Sequence, residues 1–320
     1  MIPPLRSSTS ANWGVSTNSD NPHRRKVFLT RQRPLKFYMR KQICHRASAL
    51  LTTALVFLAV WTVTLMASPL TCQGQVTIVQ LSDTHIGLSA APNAATHLRE
   101  AVQMINKIHP DAVILSGDIG ENVADWNLAR SILSGLTVPL FYAPGNHDVH
   151  THNVNQYRGV FGPDYYRFDV RGITFVVIDS QLLGNFDNGN ATTPPPLPPD
   201  TQAESNKMMA WLSGQASSIP RGAVVIGIQH IPEFRDGGFP NALPYWVISE
   251  PFHSRELTQL EKMGVKHMLV GHWHAYKVFS AGGITWHVAP TTSHGGGLGF
   301  LVHTISSSGS ISTQFVAVKP

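Results

Sequence analysis

Cysteine is almost absent from this chain. There are two in 320 residues, Cys44 and Cys72, and none from Gln75 onward. That excludes a disulfide framework or a thiolate-held iron–sulfur cluster in the long C-terminal part, which leaves the size of its core, with or without a bound metal, to stabilise it. Charge is scarce too: 13% of residues are charged against 42% hydrophobic, which excludes a largely disordered chain and suits a well-buried core. No internal repeat is visible. Acid is nearly missing from residues 1 to 47, where ten Lys and Arg face the single Asp20, whereas the remainder holds 14 basic and 18 acidic residues. The net charge of +5 is therefore a property of the tail. The mildly acidic remainder gives no reason to expect nucleic-acid binding by the folded domain.

What the first part does have is one long apolar run. After a basic tail, residues 1–46, read as disordered, comes "ASALLTTALVFLAVWTVTLMAS", residues 47–68, without a charge. At about 1.5 Å per residue it is long enough for a hydrocarbon core of about 30 Å. A soluble helix apolar on every face needs a large protein around it, so membrane targeting is the expectation. Two forms of it compete: an uncleaved anchor with the tail held in the cytoplasm, and the apolar region of a cleaved signal peptide, which a start at Met39 would give ordinary proportions. Cleavage is the preferred reading. Either form puts residues 75–320 outside the cytoplasm, periplasmic or secreted, with membrane attachment through residues 47–68 if the run is retained. The sequence does not fix the oligomeric state.

From Gln75 the pattern becomes regular. "VTIVQL", "DAVILSG" and "VPLFYAPG" read as buried strands separated by helices over 95–108 and over "VADWNLARSIL", a β-α-β-α-β order that implies parallel strands. The second half is richer in strands ("YYRFDV", "ITFVVIDS", "AVVIGIQH", "KHMLVG", "YKVFSA", "ITWHVAP", "GFLVHTIS", "STQFVAV"), with helices near 202–217 and 253–263. The natural architecture is α/β, a mixed sheet or a pair of stacked sheets flanked by helices. Residues 182–200, with five prolines, read as a surface loop. "HGGGLG" at 294–299 reads as a strand connection, because no helix follows that would make it a phosphate cradle.

Five of the strand-like runs end in metal-competent side chains: Asp83-Thr84-His85, Gly117-Asp118, Gly145-Asn146-His147-Asp148, His230, and Gly271-His272-Trp273-His274. In an α/β sheet the carboxyl ends of the strands line one edge, where sites form. Residues i and i+2 of an extended chain share a side, which would pair Asp83 with His85 and His272 with His274. Glycines 117, 145 and 271 would supply sharp turns or positive φ. Oxygen and imidazole donors without thiolate suit Zn, Mn or Fe. His97, His109, His253, His267, His287 and His303 fall outside the clusters and read as packing or surface residues. His150 and His152 follow the third cluster closely, as candidates for lining a cleft, and Trp273 reads as either a packed residue or a stacking wall.

Those five blocks, "DTH", "GD", "GNHD", "QH" and "GHWH", resemble in order the signature of the calcineurin-like metallophosphoesterases, across residues 76 to about 290. "INKIHPDAVILSGD", "FVVIDSQL", "IQHIPEF" and "GVKHMLVGHWH" look like the branch that includes a serine/threonine-protein phosphatase. The resemblance implies a four-layer α-β-β-α sandwich of two mixed sheets over residues 75–320 and a site for two divalent metal ions. By motif position Asp83, His85 and His274 would hold the first ion, Asp118 would bridge, and Asn146, His230 and His272 would complete the second. His147 would stand near the leaving group, with Asp148 orienting it. The implied activity is hydrolysis of phosphomonoesters by a hydroxide bridging the two ions. Phosphodiester hydrolysis, on cyclic nucleotides or otherwise, is the alternative, and a noncatalytic binding module ranks lowest because no ligand is missing. Purple acid phosphatases carry a metal-binding tyrosine three residues after the bridging aspartate. Glu121 stands there instead, so a purple Fe(III) site is not expected, and Glu121 and Asn122 become candidates to touch substrate or to support the ligands.

Overall fold

The computed structural model describes residues 74–150, 154–235, 243–295 and 297–319. The basic tail, the apolar run 47–68, both cysteines and His152 lie outside the described residues. Among the described residues no helix is long and apolar enough to cross a membrane.

Strands β1 (Val76–Leu81), β2 (Ala112–Ser116) and β3 (Leu140–Ala143) are parallel, joined through α1 (Ala94–Ile108) and α2 (Val123–Leu133). Strand β10 (Gly299–Ile305) adds antiparallel to β1, and β11 (Ile311–Ala317) antiparallel to β10, giving a five-stranded sheet ordered β11-β10-β1-β2-β3. The second sheet is ordered β4-β5-β6-β7-β9-β8, from β4 (Tyr166–Val170), β5 (Ile173–Val177), β6 (Val225–Ile228), β7 (His267–Val270), β8 (Lys277–Ala281) and β9 (Ile284–Val288). Strands β5, β6, β7 and β9 run parallel. Position in the sheet explains the sequence pattern of each strand. β2 and β6 are buried throughout, whereas β4, β8 and β11 alternate between covered and exposed residues and lie at sheet edges.

Three hydrophobic clusters define four layers. Leu98, Ala101 and Ile105 of α1 and Trp126 of α2 pack on Val79, Leu81 and Val113 of the first sheet. Ile78 and Ile114 of that sheet meet Phe175, Ile226 and Leu269 of the second. The far side of the second sheet is covered by Met208 and Leu212 of α4 (Pro199–Ser218) and Leu260 of α5 (Phe252–Met263). Helix ends follow local chemistry. The Asn122 side chain accepts the N–H groups of Ala124 and Asp125 and starts α2, Pro199 opens α4, and Gly264 at φ 74° closes α5. The α-β-β-α sandwich of two mixed sheets expected from the sequence is what the chain forms.

Two details differ from the sequence reading. The chain forms a further helix, α3 (Val154–Phe161), whose sole buried residue is Tyr157. A single apolar anchor leaves too little 3.6-residue periodicity to recognise. The stretch 182–200 is not wholly surface loop either. Leu182, Leu183 and Phe186 are buried in the cluster beneath α4, and Pro199 and Asp200 already belong to that helix.

Candidate metal centre

The carboxyl ends of β1, β2 and β3 in one sheet, and of β6, β7 and β9 in the other, meet at one edge of the sandwich. Hydrogen bonds tie them together. Asp83 N–H donates to Gly117 O at 3.0 Å, His85 N–H to Asp118 O at 2.9 Å and Gly271 N–H to His230 O at 2.9 Å. Between the sheets, Gln80 Nε2 donates to Val270 O at 2.9 Å and His272 N–H to Asp83 Oδ2 at 3.2 Å.

All five blocks converge there, by a different local geometry from strand alternation. Asp83, His85, Asp118, His272 and His274 all have positive φ, between 41° and 69°. Left-handed backbone is unfavourable for residues with a Cβ and gathers where a side chain must be aimed. Of the three block glycines only Gly117 has positive φ. Gly145 and Gly271 serve close approach. A Cβ on Gly145 would overlap the Asp118 carboxylate, and one on Gly271 would sit 2.7 Å from Asp83 Oδ2.

One donor atom from each of Asp83, His85, Asp118 and His274 lies within 4.8 Å of the others, and so do those of Asp118, His230 and His272. Asp118 is common to both groups. The proton inventory of the histidines suits a metal. His230 donates Nδ1–H to Ser116 O at 2.7 Å, which leaves Nε2 bare beside Asp118 Oδ2 at 3.1 Å. His272 donates Nε2–H to Tyr245 O at 2.9 Å, which leaves Nδ1 as its donor atom. Asn146 Nδ2 donates to Tyr245 Oη at 2.9 Å, which leaves its Oδ1 free. Asp83 Oδ1, Asn146 Oδ1 and His230 Nε2 are buried and have no hydrogen-bond partner among the described residues. Buried polar atoms without partners are costly unless a cation satisfies them. The residues present therefore fit divalent ions.

Charge supports the same reading. Burial opposes ionisation of Asp83, but the imidazoles of His274 and His230 outweigh it and hold the carboxyl down at about 2. Burial likewise opposes charge on His230, yet with no ion bound the Asp118 and Asp83 carboxylates lift it to about 9, so a cation taking up Nε2 displaces a proton that the same carboxylates attract. His272, buried and facing His230, is pushed down to about 3.

His147 stands beside this group, its ring edge-on to His85 at 4.6 Å. Asp148 does not orient it. The Asp148 carboxylate instead accepts the backbone N–H groups of Ile119 at 2.9 Å, Gly120 at 3.2 Å and Gly145 at 2.9 Å, and so clamps two site loops together. The His147 partner is Glu121, whose Oε2 lies 3.0 Å from Nδ1 and whose Oε1 also reaches His85 Nδ1 at 3.4 Å. Adjacency in sequence misleads here because the tight "GNHD" turn sends consecutive side chains in opposite directions. Burial favours the neutral imidazole of His147, but the hydrogen bond with Glu121 and the Asp118 charge outweigh it and lift His147 to about 9.

The remaining candidates separate cleanly. Asn122 caps α2 rather than reaching the site. Trp273 is packed, stacked on Phe279 at 5.7 Å with its Nε1 donating to Trp246 O. His150 is exposed and pairs with Asp187 at 3.4 Å, beside a cavity of about 150 Å³ that it shares with Val149 and Gln181. His97 is buried and donates to Ser293 O at 3.0 Å. His267, His287 and His303 join a partly buried hydrogen-bond chain through Thr313 to Gln80. Sequence reasoning missed Tyr245, which holds both Asn146 and His272, and His294, whose ring lies 5.1 Å from that of His274. His294 follows the carboxyl end of β9, the same position rule that picked out the five blocks. Tyr245 follows no strand and carried no such signal.

A two-sheet α/β sandwich with aspartate, asparagine and histidine donors gathered at the carboxyl edges of its strands defines a metallophosphoesterase-type centre. Residues 76–276 match the calcineurin-like phosphoesterase family, and the chain belongs to it. It is 27% identical over 190 residues to the serine/threonine-protein phosphatase CPPED1 of Homo sapiens, covering 55% of this chain and 57% of that protein. It is 24% identical over 229 residues to a probable cyclic nucleotide phosphodiesterase of Fibrobacter succinogenes, covering 67% of this chain and 79% of that protein. The chain thus spans a little over half the length of the human phosphatase. A dimetal phosphatase from Danio rerio shares the fold, with a TM-score of 0.55 at 13% identity over 76% of this chain and 99% of that one.

Proposed function

We propose that the chain is a dinuclear, metal-dependent phosphoesterase that hydrolyses phosphomonoesters. The observation that carries this is the set of buried donor atoms without partners on Asp83 and His230, grouped with the Asp118 carboxylate, together with the partnerless Oδ1 of Asn146, whose amide shares Tyr245 with His272. Asp83, His85, Asp118 and His274 would hold one ion and Asp118, Asn146, His230 and His272 the other, with Mn, Zn or Fe matching the donor set. When bound, two such ions supply Lewis acidity to a phosphoryl group and make coordinated water acidic near neutral pH.

The chain's own residues do the rest. His147, with Nδ1 held by Glu121, presents Nε2 to the departing alkoxide and gives it a proton. Asp148 fixes the loops that carry Asp118 and His147. Tyr245 fixes the orientation of Asn146 and His272 from one residue. The human relative's name favours a monoester. The Fibrobacter relative's name gives the second reading, a phosphodiester. We also propose that residues 47–68 direct the catalytic domain out of the cytoplasm, which the basic tail before them supports. Sequencing the mature N-terminus would distinguish cleavage from anchoring, and an intact N-terminus in the soluble cytoplasmic fraction would count against both.

The test is turnover by the full-length chain, stripped of metal and reloaded with Mn, Zn or Fe, on para-nitrophenyl phosphate and its bis-ester. The expected result is metal-dependent hydrolysis of the monoester that collapses in His147→Ala. Preference for the bis-ester would select the diesterase reading, and no turnover of either ester with metal bound would overturn both.

A further inference from the structure

Beyond the five blocks, a sixth strand end contributes to the same edge. After β9 the chain runs through Thr291, Ser293 and His294, and each is tied into the site. Thr291 Oγ1 donates to Asp83 O at 2.8 Å. The Thr291 and Ser293 hydroxyls are 2.6 Å apart, Ser293 Oγ is 2.7 Å from His294 Nδ1, and Ser293 O is held by His97 at 3.0 Å. Thr291 and Ser293 are buried, and His294 is half-buried.

Counting protons along this chain fixes the state of the ring. The single hydroxyl proton of Thr291 is spent on a carbonyl, so Thr291 can only accept from Ser293. The single proton of Ser293 is then spent on Thr291, so Ser293 can only accept from His294 Nδ1. His294 is thereby the Nδ1–H form, with a lone pair on Nε2, which has no hydrogen-bond partner among the described residues. The ring stands edge-on to His274 at 5.1 Å and to His85 at 5.7 Å. His147, which meets the leaving group, borders the same His85. An acceptor nitrogen repels phosphoryl oxygens, which are themselves acceptors, and suits a donor on the organic part of the ester.

Resting on the phosphomonoesterase reading, we infer that His294 Nε2 accepts a hydrogen bond from a hydroxyl of the leaving alcohol and selects polyol or sugar phosphates over esters of plain alcohols. His294 is a specificity-determining residue rather than a metal ligand. The position explains why the Thr291–Ser293 pair is buried behind it: the pair sets the tautomer that makes the ring an acceptor.

The test compares glycerol 3-phosphate with n-propyl phosphate, which have the same three-carbon chain with and without hydroxyls, using the metal-loaded full-length chain. Wild type should favour glycerol 3-phosphate about tenfold in kcat/KM, the size expected for one hydrogen bond to a half-buried acceptor. His294→Ala should abolish the preference by raising KM for glycerol 3-phosphate more than KM for n-propyl phosphate, with metal content unchanged, and His294→Gln, whose amide oxygen is again an acceptor, should restore part of it. Nitrogen-15 histidine spectra should show the residue-294 ring, identified by its loss in the Gln variant, with a bare Nε2. A preference that survives His294→Ala, equal loss on both esters, loss of metal, or a protonated Nε2 beside a bare Nδ1 would overturn the inference while leaving the phosphoesterase reading in place. Failure of wild type to hydrolyse either ester or para-nitrophenyl phosphate would overturn that reading, and this inference with it.

Discussion

Replacing Asp148 separates a structural carboxylate from a catalytic one. Its two oxygens, in a side chain 1% exposed, accept three backbone N–H groups from the loops carrying Asp118 and His147. Asp148→Asn keeps one oxygen for Ile119 and Gly120 but turns an amide N–H toward the N–H of Gly145. The Gly145 N–H then loses its acceptor and faces another donor, at about 1–3 kcal/mol for the lost acceptor. Asp148→Ala strands all three donors, and with partial relief by water the loss is about 3–6 kcal/mol. For a domain of this size these correspond to roughly 3–10 °C and 10–20 °C in Tm. Urea and thermal unfolding of the metal-free chain would measure both variants without a contribution from metal binding. Glu121→Gln is the control, because Glu121 is partly exposed and its contacts are with half-buried His147 and with His85; it should unfold within about 1 kcal/mol of wild type. An Asp148→Asn chain that unfolds at the wild-type midpoint, while losing turnover at full metal content, would refute the clamp and return Asp148 to the role of orienting His147.

Further outcomes follow from the same geometry. Glu121→Gln should lower kcat about 10- to 100-fold with metal content unchanged, since it removes the anchor of His147 Nδ1; steady-state kinetics with metal analysis checks it. Tyr245→Phe should weaken metal binding about 10- to 100-fold by freeing the Asn146 amide, measured by competition with a chelating dye. Buried His287 is pushed down to about 3 by desolvation and then by neighbouring His267. The unfolded chain takes up a proton near 6.5 where the folded chain does not, so stability should hold above pH 6.5 and fall between pH 6.5 and 3, by up to about 1.4 kcal/mol per pH unit. Urea unfolding across that range, in wild type and His287→Gln, should show the slope reduced in the variant.

The strands and the convergence of the five motif blocks were legible because both are local in sequence. β-branched runs declare buried strands, and each block sits within a few residues of a strand's end. What was not legible depends on distance along the chain. Tyr245 is 99 residues from Asn146 and 27 from His272. The Thr291 hydroxyl is bonded to a residue 208 positions earlier. Helix α3 was hidden because it buries one residue. The role of Asp148 was misread because neighbouring positions in a tight turn do not share a direction. The ligand pairs were expected on extended backbone and instead converge through left-handed residues, a conformation that sequence shows only at glycine, and at Gly145 and Gly271 glycine signals crowding instead.

A two-ion centre depends on Asp118, which belongs to both groups of donors. Metal content of the purified, reloaded chain, measured by inductively coupled plasma spectrometry for wild type, His230→Ala and Asp118→Asn, tests it most directly. A carboxylate shared by two sites gives about two divalent ions per wild-type chain, about one in His230→Ala, and fewer than one in Asp118→Asn. One ion or none in wild type, or two retained in Asp118→Asn, would contradict it.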